Sequence, residues 1–131
     1  MADVNRGNRP LSPHLSIYRP LWTMVLSITH RITGVGLALG LVMVTWWFLA
    51  LAIGEAYFEL ANAVMTSVIG GLILIASLWA LSFHFCNGIR HLFWDAGKGL
   101  DLGTAYKSGL VVMAGSVVLT VIGVLIFKGI I

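Results

Sequence analysis

Three stretches of this chain run for twenty residues or more without a charged side chain: Gly34 to Ile53, Val64 to Cys86 and Ser108 to Phe127. A hydrocarbon core about 30 Å thick needs about 20 helical residues to cross it. The rest of the composition agrees, with 59% hydrophobic and only 10% charged residues in 131, where a water-soluble domain carries roughly 25% charged. Treating the third stretch as a soluble core helix conflicts with its 20 uncharged residues. The expected fold is therefore an all-α membrane protein with three transmembrane helices. An arm over 1–20 precedes a membrane domain over 21–131, with spans at about 21–53, 64–90 and 106–128.

Helical pattern in the first span reaches back to Pro20, a residue welcome at a helix start. A helix from Leu21 to Ala52 is about 48 Å long and overshoots the bilayer. Its first turns, with Ser27, His30 and Arg31, are expected in the interfacial layer, or the helix breaks near Gly34. Small residues recur where helices pack closely without a hydrophobic drive: Gly36 and Gly40, Gly70 and Gly71, then Ala114, Gly115 and Gly123. They serve either the chain's own packing or a partner helix.

Lys and Arg set the orientation. Arg6, Arg9, Arg19 and Arg31 precede or open the first span, and Arg90, Lys98 and Lys107 lie around the second loop. Only Lys128 lies on the other side, a count of seven against one. Cytoplasmic loops hold the excess of basic residues, so the N-terminus and second loop are expected in the cytoplasm. The net charge of +3 is a set of membrane-surface anchors beside lipid, and no nucleic-acid partner is expected. The first twenty residues hold three prolines and no apolar core of a cleavable signal. A multi-pass protein of a bacterial cell inner membrane is the simplest expectation. The lone Cys86 excludes an internal disulfide and a thiolate-held iron–sulfur cluster within the chain.

Chemistry concentrates at the cytoplasmic ends. Ionisable residues at the edge of lipid are costly and usually serve an ion, a cofactor or a partner. His84 is followed by Gly88 one helical turn on, then by Arg90 and His91. A neutral imidazole ligates haem iron through Nε2, and a glycine at i+4 lets a flat macrocycle approach the helix. The cationic pair beyond suits haem propionates. The alternative is an interfacial histidine bonded to a neighbouring carbonyl. His91 lies two turns from His84 on the same face, so it cannot grip the opposite side of one iron. His30 is the internal alternative for a second ligand; a histidine from another subunit fits better, because Arg31 suits a propionate rather than iron.

Ser27 and Arg31 are four apart and share one helical face. A hydroxyl beside a guanidinium can hydrogen-bond a quinone carbonyl and balance the charge that develops on its reduction. The alternative is an arginine reaching to lipid headgroups. His30 and Thr29 are candidates to assist a propionate or a proton path. Arg9 to Arg19, with two prolines, reads as an extended segment that docks a soluble partner or anchors at headgroups. Asp95 is a candidate partner for Arg90 or for another subunit. The five tryptophans are belt or packing residues.

Arg9-Pro10-Leu11-Ser12-Pro13-His14-Leu15 with Ile17-Tyr18, Ser27 with His30-Arg31-Ile32-Thr33-Gly34, and the run from His84 to Asp95 together resemble one family. It is the cytochrome b membrane-anchor subunit of succinate dehydrogenase, the larger anchor chain of respiratory complex II. The resemblance covers the whole chain. It implies a heterodimeric helix bundle around one haem b, shared with a second small three-helix anchor subunit. His84 then matches an axial haem ligand, the other coming from the smaller chain. Ser27 and Arg31 match ubiquinone-site residues, and His30, Arg31 and His91 fall near haem propionates. Implied partners are a flavoprotein subunit, an iron–sulfur subunit and membrane lipid; the chain alone would have no activity. The same architecture suits a quinol:fumarate reductase anchor working in reverse, and a cofactor-free structural tether is the contrasting reading.

Overall fold

A computed structural model describes residues 18–129, and the arm up to residue 17 and the last two residues lie outside it. The proposed docking segment from Arg9 therefore falls almost wholly outside the described residues. Within them the chain is all-helical: α1 (Trp22–Ile53), α2 (Glu55–Thr66), α3 (Val68–Asp95) and α4 (Leu102–Phe127). Three of these, α1, α3 and α4, are long and apolar enough to cross a bilayer.

α1 starts directly after Pro20 and Leu21 and runs unbroken through Gly34, Gly36 and Gly40. The break considered near Gly34 does not occur. The helix stops at Gly54, whose φ of 149° lies where side chains are disfavoured.

The second apolar run is not one helix. It is cut at Ser67, whose hydroxyl accepts from the Gly70 amide at 3.1 Å and caps α3. Val64, Met65 and Thr66 therefore close a separate helix, α2, in what the apolar pattern suggests is a loop. Gly70 permits the corner: a Cβ there would run into the carbonyl oxygens of Val64 and Met65. At its other end α3 continues to Asp95, past the span end expected near residue 90. α4 opens at Leu102 on an Asp101 cap, where Oδ2 accepts from the Thr104 amide at 2.8 Å.

α3 is the middle helix. Gly40 of α1 faces Ser77, and Gly123 of α4 faces the Leu78 side chain. Gly109 of α4 lies against Trp22 and Leu26 of α1 so closely that a Cβ would come within 2.6 Å of the indole nitrogen. Gly36 and Gly71, by contrast, face open space. Buried Leu26, Phe83 and Val112, one from each long helix, form the core, with Trp22, Trp79, Cys86 and Met113 packed on it. Most other large apolar side chains point outward, including Leu39, Val42, Phe48, Ile69, Leu92, Val111 and Phe127. Such a surface needs lipid or another apolar helix around it.

Candidate functional site

The start of α1 runs antiparallel to the end of α3, which brings residues far apart in sequence to one end of the bundle. The α1 stripe of Leu26, His30, Thr33 and Gly34 has helical spacing and faces inward. Against it lies His84. Its Nδ1 is 3.3 Å from the hydroxyl of Thr33, a side chain only 5% exposed. A Cβ on Gly34 would lie 3.1 Å from His84 Cε1, so the glycine leaves room for the ring.

His30 stacks on His84, with ring centroids 3.8 Å apart and planes 12° from parallel. His91 joins them, its ring 5.2 Å from that of His30. Among the described residues the buried Nδ1 atom of His30 has no hydrogen-bond partner, and an unpaired buried polar atom is costly. Axial imidazoles meet iron end-on through a nitrogen, so two rings stacked face to face do not grip opposite sides of it. This pair is therefore not a bis-axial set as it stands.

Ser27 and Arg31 occupy the neighbouring α1 stripe, half-buried and exposed respectively. Each is within one turn of His30 along α1, so hydroxyl, guanidinium and the three imidazoles share one end of the bundle. The Thr29 hydroxyl donates to the Val25 carbonyl at 2.8 Å, which leaves it only acceptor capacity.

Arg90 departs from the expectation of a propionate partner. It turns to the other side of α3 and is only 5% exposed. Its Nε donates to Ser108 Oγ at 2.9 Å, Nη2 to the Ala105 carbonyl at 2.8 Å, and Nη1 to Asn87 Oδ1 at 3.4 Å. The guanidinium carbon also sits 3.9 Å from the Trp94 ring centroid. Trp94 in turn donates to the Gly99 carbonyl at 3.0 Å, holding the turn before α4. Asp95 takes no part; α4 supplies what a carboxylate was expected to. Cys86 is a half-buried free thiol packed among apolar neighbours.

Four residues of these clusters had no role in the sequence reading. Thr33 and Gly34 sat inside a quoted motif, and their spacing from His30 puts them on the inward stripe. Ser108 carried no signal. Asn87 is fully buried, and three residues from Arg90 it was a legible neighbour.

A family model described as "Succinate dehydrogenase/Fumarate reductase transmembrane subunit" matches residues 5–123. The chain belongs to that family. It is a transmembrane subunit of this oxidoreductase class, and its three long apolar helices accord with a membrane location. Among curated relatives, the succinate dehydrogenase cytochrome b556 subunit of Paracoccus denitrificans is 50% identical over 127 residues, covering 97% of this chain and 98% of the relative. The cytochrome b556 subunit of Rickettsia conorii is 40% identical, covering 88% and 90%. The mitochondrial cytochrome b560 subunit of Homo sapiens is 42% identical, covering 82% of this chain and 64% of its own length.

Proposed function

We propose that this chain anchors a succinate:ubiquinone oxidoreductase in a bacterial inner membrane, N-terminus in the cytoplasm, and contributes His84 as one axial ligand of a haem b. The other ligand comes from a second small three-helix anchor subunit, and the pair docks the flavoprotein and iron–sulfur subunits. The observation that carries this reading is the cluster of His30, His84 and His91 at the end of the bundle that also holds Ser27 and Arg31.

The residues suit a haem. Imidazole is a suitable axial ligand, and Gly88, one turn from His84, faces open space as a flat ring requires. The buried Nδ1 of His30 has no hydrogen-bond partner among the described residues and could take one from a bound group. His30, Arg31 and His91 would meet propionates at the membrane surface. When bound, the haem supplies a one-electron redox centre beside the quinone.

Ser27 and Arg31 act on the quinone. The Ser27 hydroxyl donates to a carbonyl oxygen and holds the ring in register. The Arg31 guanidinium, exposed where an amphiphile can enter from the lipid, favours the negative charge that builds on that oxygen during reduction. Electrons come from succinate through the soluble subunits. The relatives quoted above all carry a succinate dehydrogenase name, which favours this direction over quinol-driven fumarate reduction.

The test is the assembled complex purified with all its subunits. The proposal expects a b-type spectrum on dithionite reduction, and for Arg31→Leu a loss of ubiquinone reduction with artificial-dye reduction retained. A complex without a Soret band, or equal loss of both activities in an assembled Arg31→Leu complex, would contradict it.

A further inference from the structure

We infer that Thr33 is a positioning residue for the haem: its hydroxyl takes the Nδ1 proton of His84 and so fixes Nε2 as the nitrogen that faces iron. The inference rests on His84 being the ligand and goes beyond it by naming what sets the ring's tautomer.

A threonine hydroxyl has one proton to give and two lone pairs to accept with. In Thr33 the proton is committed, since Oγ1 donates to the His30 carbonyl at 3.0 Å, one turn back on the same helix. The contact with His84 at 3.3 Å is then left with one polarity: imidazole Nδ1–H donates and the hydroxyl oxygen accepts. A neutral imidazole protonated on Nδ1 presents its lone pair on Nε2. Thr33 is 5% exposed, so water offers little competition for that bond.

Gly34 completes the seat. The 3.1 Å between its notional Cβ and His84 Cε1 leaves no slack for a methyl, so the ring lies directly on α1. Thr33 thus sets which nitrogen is free, and Gly34 sets how near the ring lies. Partners of this kind on a ligating histidine fix its orientation and raise its basicity, and their removal typically costs 10–100-fold in affinity. A more basic imidazole favours the oxidised iron, so losing the acceptor should raise the haem's midpoint potential.

The experiment uses the full complex carrying Thr33→Val, which keeps the branched shape without the hydroxyl, and Thr33→Ser, which keeps the hydroxyl. Haem loss is followed by transfer to excess apomyoglobin, and midpoint potential by optical redox titration, both normalised to succinate–dye turnover. Thr33→Val should lose haem about tenfold faster and titrate at a higher potential, with Thr33→Ser close to the parent. Unchanged retention and potential in Thr33→Val would overturn the inference. So would faster loss at unchanged potential, the mark of packing alone, or a serine variant that behaves as valine does. Should the valine protein fail to assemble, Thr33→Ala removes the same hydroxyl without bulk and is read identically. His84→Tyr separates the two claims: wild-type haem content and spectrum there would remove the ligand itself, whereas their loss beside an unaffected Thr33→Val removes only Thr33.

Discussion

The two sides of α3 put polar residues at one end of the bundle to different uses. Toward α4, Arg90 spreads its donors over Ser108, Ala105 and Asn87 and lays its face on Trp94. Toward α1, three imidazoles crowd together. Buried polar groups normally find partners within the fold. The α4 side has a charge whose needs the chain largely meets, and it holds two helices together. Each side also keeps one buried nitrogen without a partner among the described residues, Asn87 Nδ2 beside Arg90 and His30 Nδ1 beside His84, but only the α1 side gathers three imidazoles. A charged residue near a membrane end is thus no sign of function by itself; the Arg90 guanidinium is bonded within the fold, whereas the imidazoles mainly stack on one another.

The comparison breaks most sharply if the two sides respond alike to substitution. His84→Tyr should cost the assembled complex most of its haem, by at least about tenfold given what loss of even a supporting partner does. Haem content per complex, from the pyridine haemochrome, checks it. Arg31→Leu should lower ubiquinone reduction by about 100-fold, the scale of one donor to a developing oxyanion, while leaving the haem spectrum in place. Arg90→Met should do the reverse: spectrum and turnover stay, and thermal stability in detergent falls by about 2 kcal/mol through lost interhelical hydrogen bonds.

Smaller effects refine the same contrast. Gly109→Ala forces a methyl against Trp22 and Leu26 and should cost about 1–3 kcal/mol by overpacking, whereas Gly36→Ala, facing open space, should cost nothing measurable in the same melts. The smallest effect belongs to Asp101. Hydrogen bonds from Thr104, backbone first, hold its carboxyl below the ordinary carboxylate value. A depressed value in the folded state means that its cap stabilises α4 above about pH 4, the unfolded carboxylate value, and fades as pH falls through the folded one. Asp101→Ala should therefore lower the melting temperature slightly at pH 7, and the difference should vanish in strong acid.

Much of the architecture was written in the apolar runs. α1 and α4 follow from uncharged stretches, with a proline before α1, whereas the Asp101 cap starts α4 at Leu102, ahead of the expected residue 106. α2 did not follow, because its residues continue apolar character into the next run and only Ser67 marks the cut. The signal was present, a hydroxyl three residues before Gly70, but hydropathy outweighed it. At the site, His84 and His91 share one face of α3 as their spacing requires, and the antiparallel run of α1 brings His30 against both. Arg90 does not share the role expected of its neighbour His91, because adjacent residues on a helix point about 100° apart. His91 shares the His84 face and Arg90 does not. Ser108 was beyond reach, since nothing local to α4 announces a partner eighteen residues back.

The central claim, that the α1–α3 face is a haem seat short of its other half, is tested most directly by a cryo-EM map of the assembled complex in detergent or nanodisc. The account predicts a porphyrin between this chain and a second anchor, with His84 Nε2 on the iron, Thr33 on His84 Nδ1, and Arg90 still bound to Ser108. A map in which His30 and His84 stay stacked against each other, with no porphyrin at this face, would contradict it.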